Sequence, residues 1–231
     1  MEIEGIKRLL HRPATKFSVG GFRPTNELTE SWVGKVFLFG KGEDIPINSR
    51  GKQMMPLAQI YLKDLPFVPK ELAGIELMTV FVSSDLPEQF DEMGENWLIR
   101  EYASIDHLTR KDVTSSESFL KPFPLGHELV EKDFPLWDGG GVPYELEKEI
   151  LILEKSGAIG SYYDIIEHCY DHKIGGYPSF CQSGIDFGDG FEFVFQISSD
   201  SKLNLNVVDN GSLMFAKNGS TGEWVLYYDF Y

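Results

Sequence analysis

Short runs dense in apolar, β-branched and aromatic residues recur along this chain between turn-forming segments, and a helical period shows in only a few places. Ile3, Ile6, Leu9 and Leu10 recur at helical spacing over residues 2–11, and Pro13 forbids continuation, so a short amphipathic helix opens the chain. Residues 35–39, 53–62, 74–83 and 97–102 are rich in β-branched and aromatic side chains and are expected to be strands. A second helix is expected from Pro143, with Leu146, Ile150 and Leu153 on one face and Gly157 as its stop. Ser161 to Asp164 resembles a cap, which predicts a further helix through residues 165–170. Strands are then expected at 191–198, 203–208, 212–217 and 223–231, with Asp209-Asn210-Gly211 and Asn218-Gly219 as hairpin signals. Asp186 to Gly190 is also expected to be a hairpin turn. Only 97–102 stands out between residues 85 and 141, where prolines punctuate 122–135 and Asp138-Gly139-Gly140-Gly141 is a flexible break.

Two segments resemble one another. His172-Lys173-Ile174-Gly175-Gly176-Tyr177-Pro178 has a looser counterpart in residues 16–24, which carry Lys16, Gly20, Gly21 and Pro24. Gln59-Ile60 and Gln196-Ile197 are each followed about fifteen residues later by a glycine, Gly74 and Gly211. Matching spacing of this kind is the mark of an internal duplication. The expected fold is α+β: one structural unit of two β-rich, mainly antiparallel halves, approximately 13–100 and 170–231, packed with pseudo-two-fold symmetry and flanked by a few helices. A helical and irregular segment would connect the halves.

The order of these motifs, with Trp32, Gln182, residues 195–200 and residues 211–215, resembles the YwqG-like proteins, a bacterial family of unknown function. The chain departs from the family pattern at Val33, where proline is expected after the tryptophan, and at Phe22-Arg23-Pro24. The resemblance implies an α+β protein without an assigned activity, and a genomic setting near toxin and immunity genes.

The chain has 231 residues with 21 Lys and Arg against 36 Asp and Glu, a formal net charge of −15. That field repels phosphate backbones and anionic membrane surfaces, so nucleic acid and membrane are excluded as partners and a basic protein is favoured. With the resemblance, it suggests a non-enzymatic interaction module, an immunity-type inhibitor of a basic toxin. No apolar run has the length of a membrane span and the N-terminal segment is interrupted by charge, which gives a cytoplasmic expectation. Cys169 and Cys181 are then reduced thiols.

No catalytic constellation is present and no cofactor is implied. The alternative to a protein partner is a small ligand or an enzymatic site in a groove between the halves. Its lining would be Lys16, Gly20, Gly21, Trp32, Gln59, Lys173, Gly175, Gly176, Tyr177 and Gln196, with glycine amides and lysines meeting an anion and the aromatic residues forming a wall. Each glycine segment is equally a tight turn, and each glutamine equally a partner for backbone groups. His168 and His172, four apart, would suit a metal only if one helix carried both. Cys181 with His172 is the nearest nucleophile and base in sequence, without an elbow motif around the thiol.

Overall fold

The opening amphipathic segment folds as helix α1 (Ile3–Leu10), burying Ile6 and Leu10, in a computed structural model that describes residues 2–231. The chain then passes through β1 (Arg12–Val19), β2 (Trp32–Val33), β3 (Leu38–Phe39), β4 (Met55–Tyr61), β5 (Leu77–Val82), β6 (Trp97–Tyr102), β7 (Thr109–Arg110) and β8 (Phe123–Asp133). Helix α2 (Tyr144–Ser156) follows, then β9 (Lys173–Gly175), β10 (Phe191–Ser198), β11 (Ser212–Asn218) and β12 (Trp224–Asp229). Pro143 stands in extended conformation one residue ahead of α2, where its sequence predicts the first helical residue, and Gly157, at φ +73°, ends the helix as expected.

Ten strands form one antiparallel sheet in the order β12-β11-β10-β9-β1-β8-β2-β4-β5-β6, and β3 pairs with β7 alone. The sheet curls into a half-barrel. Its inner face joins both ends of the chain in one core, including Leu57, Val80 and Trp97 from one side and Ile174, Phe195 and Phe215 from the other. Trp97 and Phe215 lie 5.9 Å apart between ring centroids, and Glu101 of β6 accepts from Lys217 Nζ and Trp224 Nε1 at 2.7 Å each. A smaller core unites α1 and α2 through Ile6, Leu10, Leu146, Ile150 and Tyr162.

Several expected elements take other forms. Residues 165–170 are not helical: the cap-like segment closes one 3-10 turn, Tyr162–Asp164, with its capping box satisfied. Residues 203–208 are a looped segment that still buries Leu203, Leu205 and Val207, so alternation records burial there without a ladder. No strand precedes the turn at Asp186 to Gly190, which leads directly into β10. Of residues 35–39 only the last two pair.

Conversely, the two central strands, β1 and β8, fall where glycine-rich and proline-punctuated sequence suggested irregular chain. Their register sets Lys16 opposite Glu128 and Phe17 opposite His127. Much of β8 is solvent-exposed at consecutive positions, His127, Glu128 and Leu129 and then Glu131 and Lys132, so no buried face announced it in the sequence. Among the described residues, no helix is long and apolar enough to cross a membrane.

Candidate functional site

A cavity of about 570 Å³ opens where β1, β10 and β11 meet the loops at 170–172, 179–181 and 199–200. Its floor is open because two facing strand positions carry short side chains. Ser198 opposes Ser212 across the ladder, their Oγ atoms are 3.0 Å apart, and Ser198 Oγ donates to the Tyr170 carbonyl at 2.7 Å.

His172 sits at the pocket wall, only 4% exposed. Its Nδ1 accepts from the Ser198 amide at 2.9 Å, so in the neutral ring the proton is on Nε2. That donor has no hydrogen-bond partner and faces Asp200 Oδ2 at 3.6 Å. Asp200 Oδ1 accepts from the amides of Lys202 and Leu203 at 2.7 and 3.3 Å. His172, followed by these amides, holds the Asp200 carboxyl down to about 2, so it is ionised at neutral pH. Lys16 places its ammonium 3.3 Å from both Asp171 and Glu128, and Asp171 foremost raises its pKa. Burial, with Asp229 adding to it, pushes the Cys181 thiol up to about 11. A thiol of that kind stays protonated and is a poor nucleophile at neutral pH.

Gln196 builds the wall from behind. Its Oε1 accepts from the Ser179 amide at 3.0 Å, and its Nε2 lies within 3.2 Å of the carbonyls of Tyr170 and Asp171 and the hydroxyls of Ser179 and Ser198. Four residues that line the cavity are thus held by one buried amide. Gln59 has a similar task elsewhere, its Oε1 accepting from the amides of Phe37 and Leu38.

Of the residues the sequence suggested for ligand binding, Lys16 lines this cavity, Gln196 supports its wall from behind, and the others serve elsewhere. Lys173 opposes Lys16 in register but is fully buried, its ammonium donating to Asp133 Oδ2 at 2.8 Å and to the Cys169 carbonyl. Burial pulls its pKa down against the pull of Asp133. Asp133 also accepts from the amides of Phe134, Cys169 and Tyr177. The second glycine segment wraps this pair: Gly176 has φ +68°, and a Cβ there would lie 2.1 Å from Asp133 Oδ2. Gly175 is similarly pressed by Phe67 and the Pro13 carbonyl.

The glycine segments do not meet. Gly176 donates to Pro13, while Gly20 and Gly21 follow the far end of β1, about 23 Å away at the rise of an extended strand. Trp32 packs among Phe37, Leu38, Tyr61 and Leu77, and Tyr177 donates to the Leu10 carbonyl at 2.6 Å beneath Arg12.

His168 and His172 share no helix. His168 Nδ1 donates to the Phe134 carbonyl at 2.6 Å and its Nε2 takes the Ser179 hydroxyl at 2.8 Å, so both nitrogens are engaged. Burial, reinforced by Lys173, lowers its pKa to about 4.

The cavity can offer donors and acceptors to a polar ligand, and two tyrosines, Tyr170 and Tyr231, at its rim. Sequence reading singled out neither Asp200 nor the facing serines as site residues. Their only signal was Ser198-Ser199-Asp200 at the end of an apolar run, which reads equally as a turn.

Fold and pocket together describe a curled antiparallel α+β protein with a polar cavity on the side of β9 to β11. The chain belongs to the family described as domain of unknown function DUF1963, whose model matches residues 31–218. This agrees with the expectation of a family lacking an assigned activity. The match begins after β1, the strand that brings Lys16 to the pocket. No curated protein matches the chain.

Proposed function

We propose that this protein is a small-ligand-binding module whose site is the Ser198–Ser212 pocket, one half of a duplicated fold having kept open what the other half fills. The two sides of the sheet support a duplication by register. Trp32 opposes Gln59 as Lys173 opposes Gln196, and the ladder skips Leu57 and Val194, each two residues before its glutamine. Ser31 Oγ accepts the Tyr61 amide as His172 Nδ1 accepts the Ser198 amide. In this correspondence Gly34, at φ +73°, matches Gly175, at φ +79°.

The carrying observation is a difference between equivalent positions. Tyr61, Leu77 and Tyr102 occupy in the first half the places of Ser198, Ser212 and Asp229 in the second. The first set packs into an aromatic cluster with Trp32 and Phe37, whereas in the second Ser198 and Ser212 leave the cavity open and Asp229 turns aside to accept from the Cys181 and Gln182 amides. A pocket of this volume with convergent polar groups suits a small molecule.

The test is a thermal-shift screen of neutral polyols, amines, carboxylates and inorganic phosphate against the wild type and Ser212→Leu, which restores the first-half side chain. At least one class should stabilise the wild type and leave Ser212→Leu unmoved. Equal responses from both proteins, or none from either, would overturn the proposal. Lys16→Ala, at a partly exposed position, provides a second pocket variant should Ser212→Leu fold poorly.

A second reading, a basic protein partner of the immunity type, rests on the net charge of −15. It calls for a complex with a basic protein at low ionic strength that dissociates as salt is added. Recovery of no such complex from lysate would count against it.

A further inference from the structure

We infer that the ligand class of this pocket is a neutral polyhydroxylated molecule, a monosaccharide or cyclitol. The inference rests on the small-ligand reading and decides among its possible chemistries by charge. The lining presents two carboxylates, Asp171 and Asp200, to one ammonium, Lys16. An anion would meet an excess of negative charge, in a protein whose overall field has the same sign. A cation would meet the Lys16 ammonium, already held by Asp171 and Glu128. Neither charge finds a cavity of one opposite sign.

A neutral polyol finds both of its needs. Each hydroxyl donates one hydrogen bond and accepts others, so adjacent hydroxyls want acceptors and donors side by side. The Asp200 carboxylate is ionised, its Oδ2 facing His172 Nε2 at 3.6 Å, longer than a hydrogen bond, while Oδ1 is fixed by two backbone amides. The buried Nε2–H of His172, 3.6 Å from Oδ2, lacks a partner. A ligand hydroxyl donating to Oδ2 is therefore favoured at this corner, and the same cavity is lined by Lys16, whose ammonium can donate, and Ser212, whose hydroxyl can accept. At the rim, Tyr170 and Tyr231 are 52% and 71% exposed, faces suited to the C–H side of a sugar ring.

The experiment is calorimetric titration of the full chain with glucose, galactose, N-acetylglucosamine and myo-inositol, beside putrescine and inorganic phosphate as charged probes. At least one polyol should bind, more tightly than either charged probe. Asp200→Asn should weaken that polyol by about 10- to 100-fold, the worth of a hydrogen bond to a charged group. Tyr231→Ala, at a rim position, should weaken it by about 3- to 10-fold with an unchanged melting temperature. If putrescine or phosphate binds more tightly than every polyol, the ligand class is overturned and the pocket reading survives. If no probe binds the wild type, this inference falls, and the wider screen against Ser212→Leu decides the pocket reading separately. Polyol binding that neither Asp200→Asn nor Tyr231→Ala weakens would also overturn it, by placing the ligand elsewhere.

Discussion

His168 and Lys173 belong to one buried polar centre. Lys173 neutralises Asp133, Asp133 gathers three backbone amides, and His168 stays neutral between the Phe134 carbonyl and Ser179. Such a network is costly to disrupt by removing one member, because the remaining group is left buried and unpaired. The histidine also makes stability depend on pH. Its folded pKa of about 4 lies below the ordinary 6.5, so the unfolded chain takes up the proton first. Stability from this group is complete above pH 6.5 and is lost as pH falls toward 4. Urea denaturation across that window should show the wild type losing about 3 kcal/mol more than His168→Gln. Parallel curves for the two proteins would show that His168 is not buried in its neutral form.

At the scale of elements, β10 does two jobs. Its inward residues Val194, Phe195 and Ile197 enter the main core, and Gln196, facing outward, ties down the loops that carry Tyr170, Asp171 and Ser179. Gln196→Leu would keep the volume roughly and strand several buried polar groups. The expected loss is about 2–4 kcal/mol, with amide exchange at residues 170–172 and 179 accelerated more than in β11. Uniform acceleration across β10 and β11 would contradict this organising role. The glutamine was legible in sequence as a polar residue in an apolar run. The loop residues it binds lie 17 to 26 residues away along the chain, a separation no local pattern encodes.

The whole molecule depends on how far the sheet curls. Glu101 ties β6 to Lys217 of β11 and Trp224 of β12, although β6 and β12 are the two ends of the strand order. Lys217 is largely buried at this contact, so Glu101→Ala leaves an ammonium poorly compensated. An expected cost of about 2 kcal/mol, together with faster amide exchange in β12, can be read from denaturation and hydrogen exchange. An unchanged β12 would show that the inner core alone holds the curl.

The sequence by itself determined the elements whose burial follows a simple period. These are α1 and α2, whose apolar faces recur at helical spacing, and beside them it determined the strands β5, β6, β10, β11 and β12, whose dense apolar, β-branched and aromatic runs must be covered whatever covers them. The motif order pointed to a family without an assigned activity, and the spacing of Gln59 and Gln196 marked two positions that do the same structural work. Tertiary structure alone decided that β1 and β8 are the centre of the sheet, since exposed polar residues carry no strand signal until partners stand on both sides. It also decided that Gly175 and Gly176 enclose the Lys173–Asp133 pair, and that Ser198, Ser212, His172 and Asp200 surround a pocket. Residues opposed across a ladder meet through strand register, and register is a property of the folded sheet.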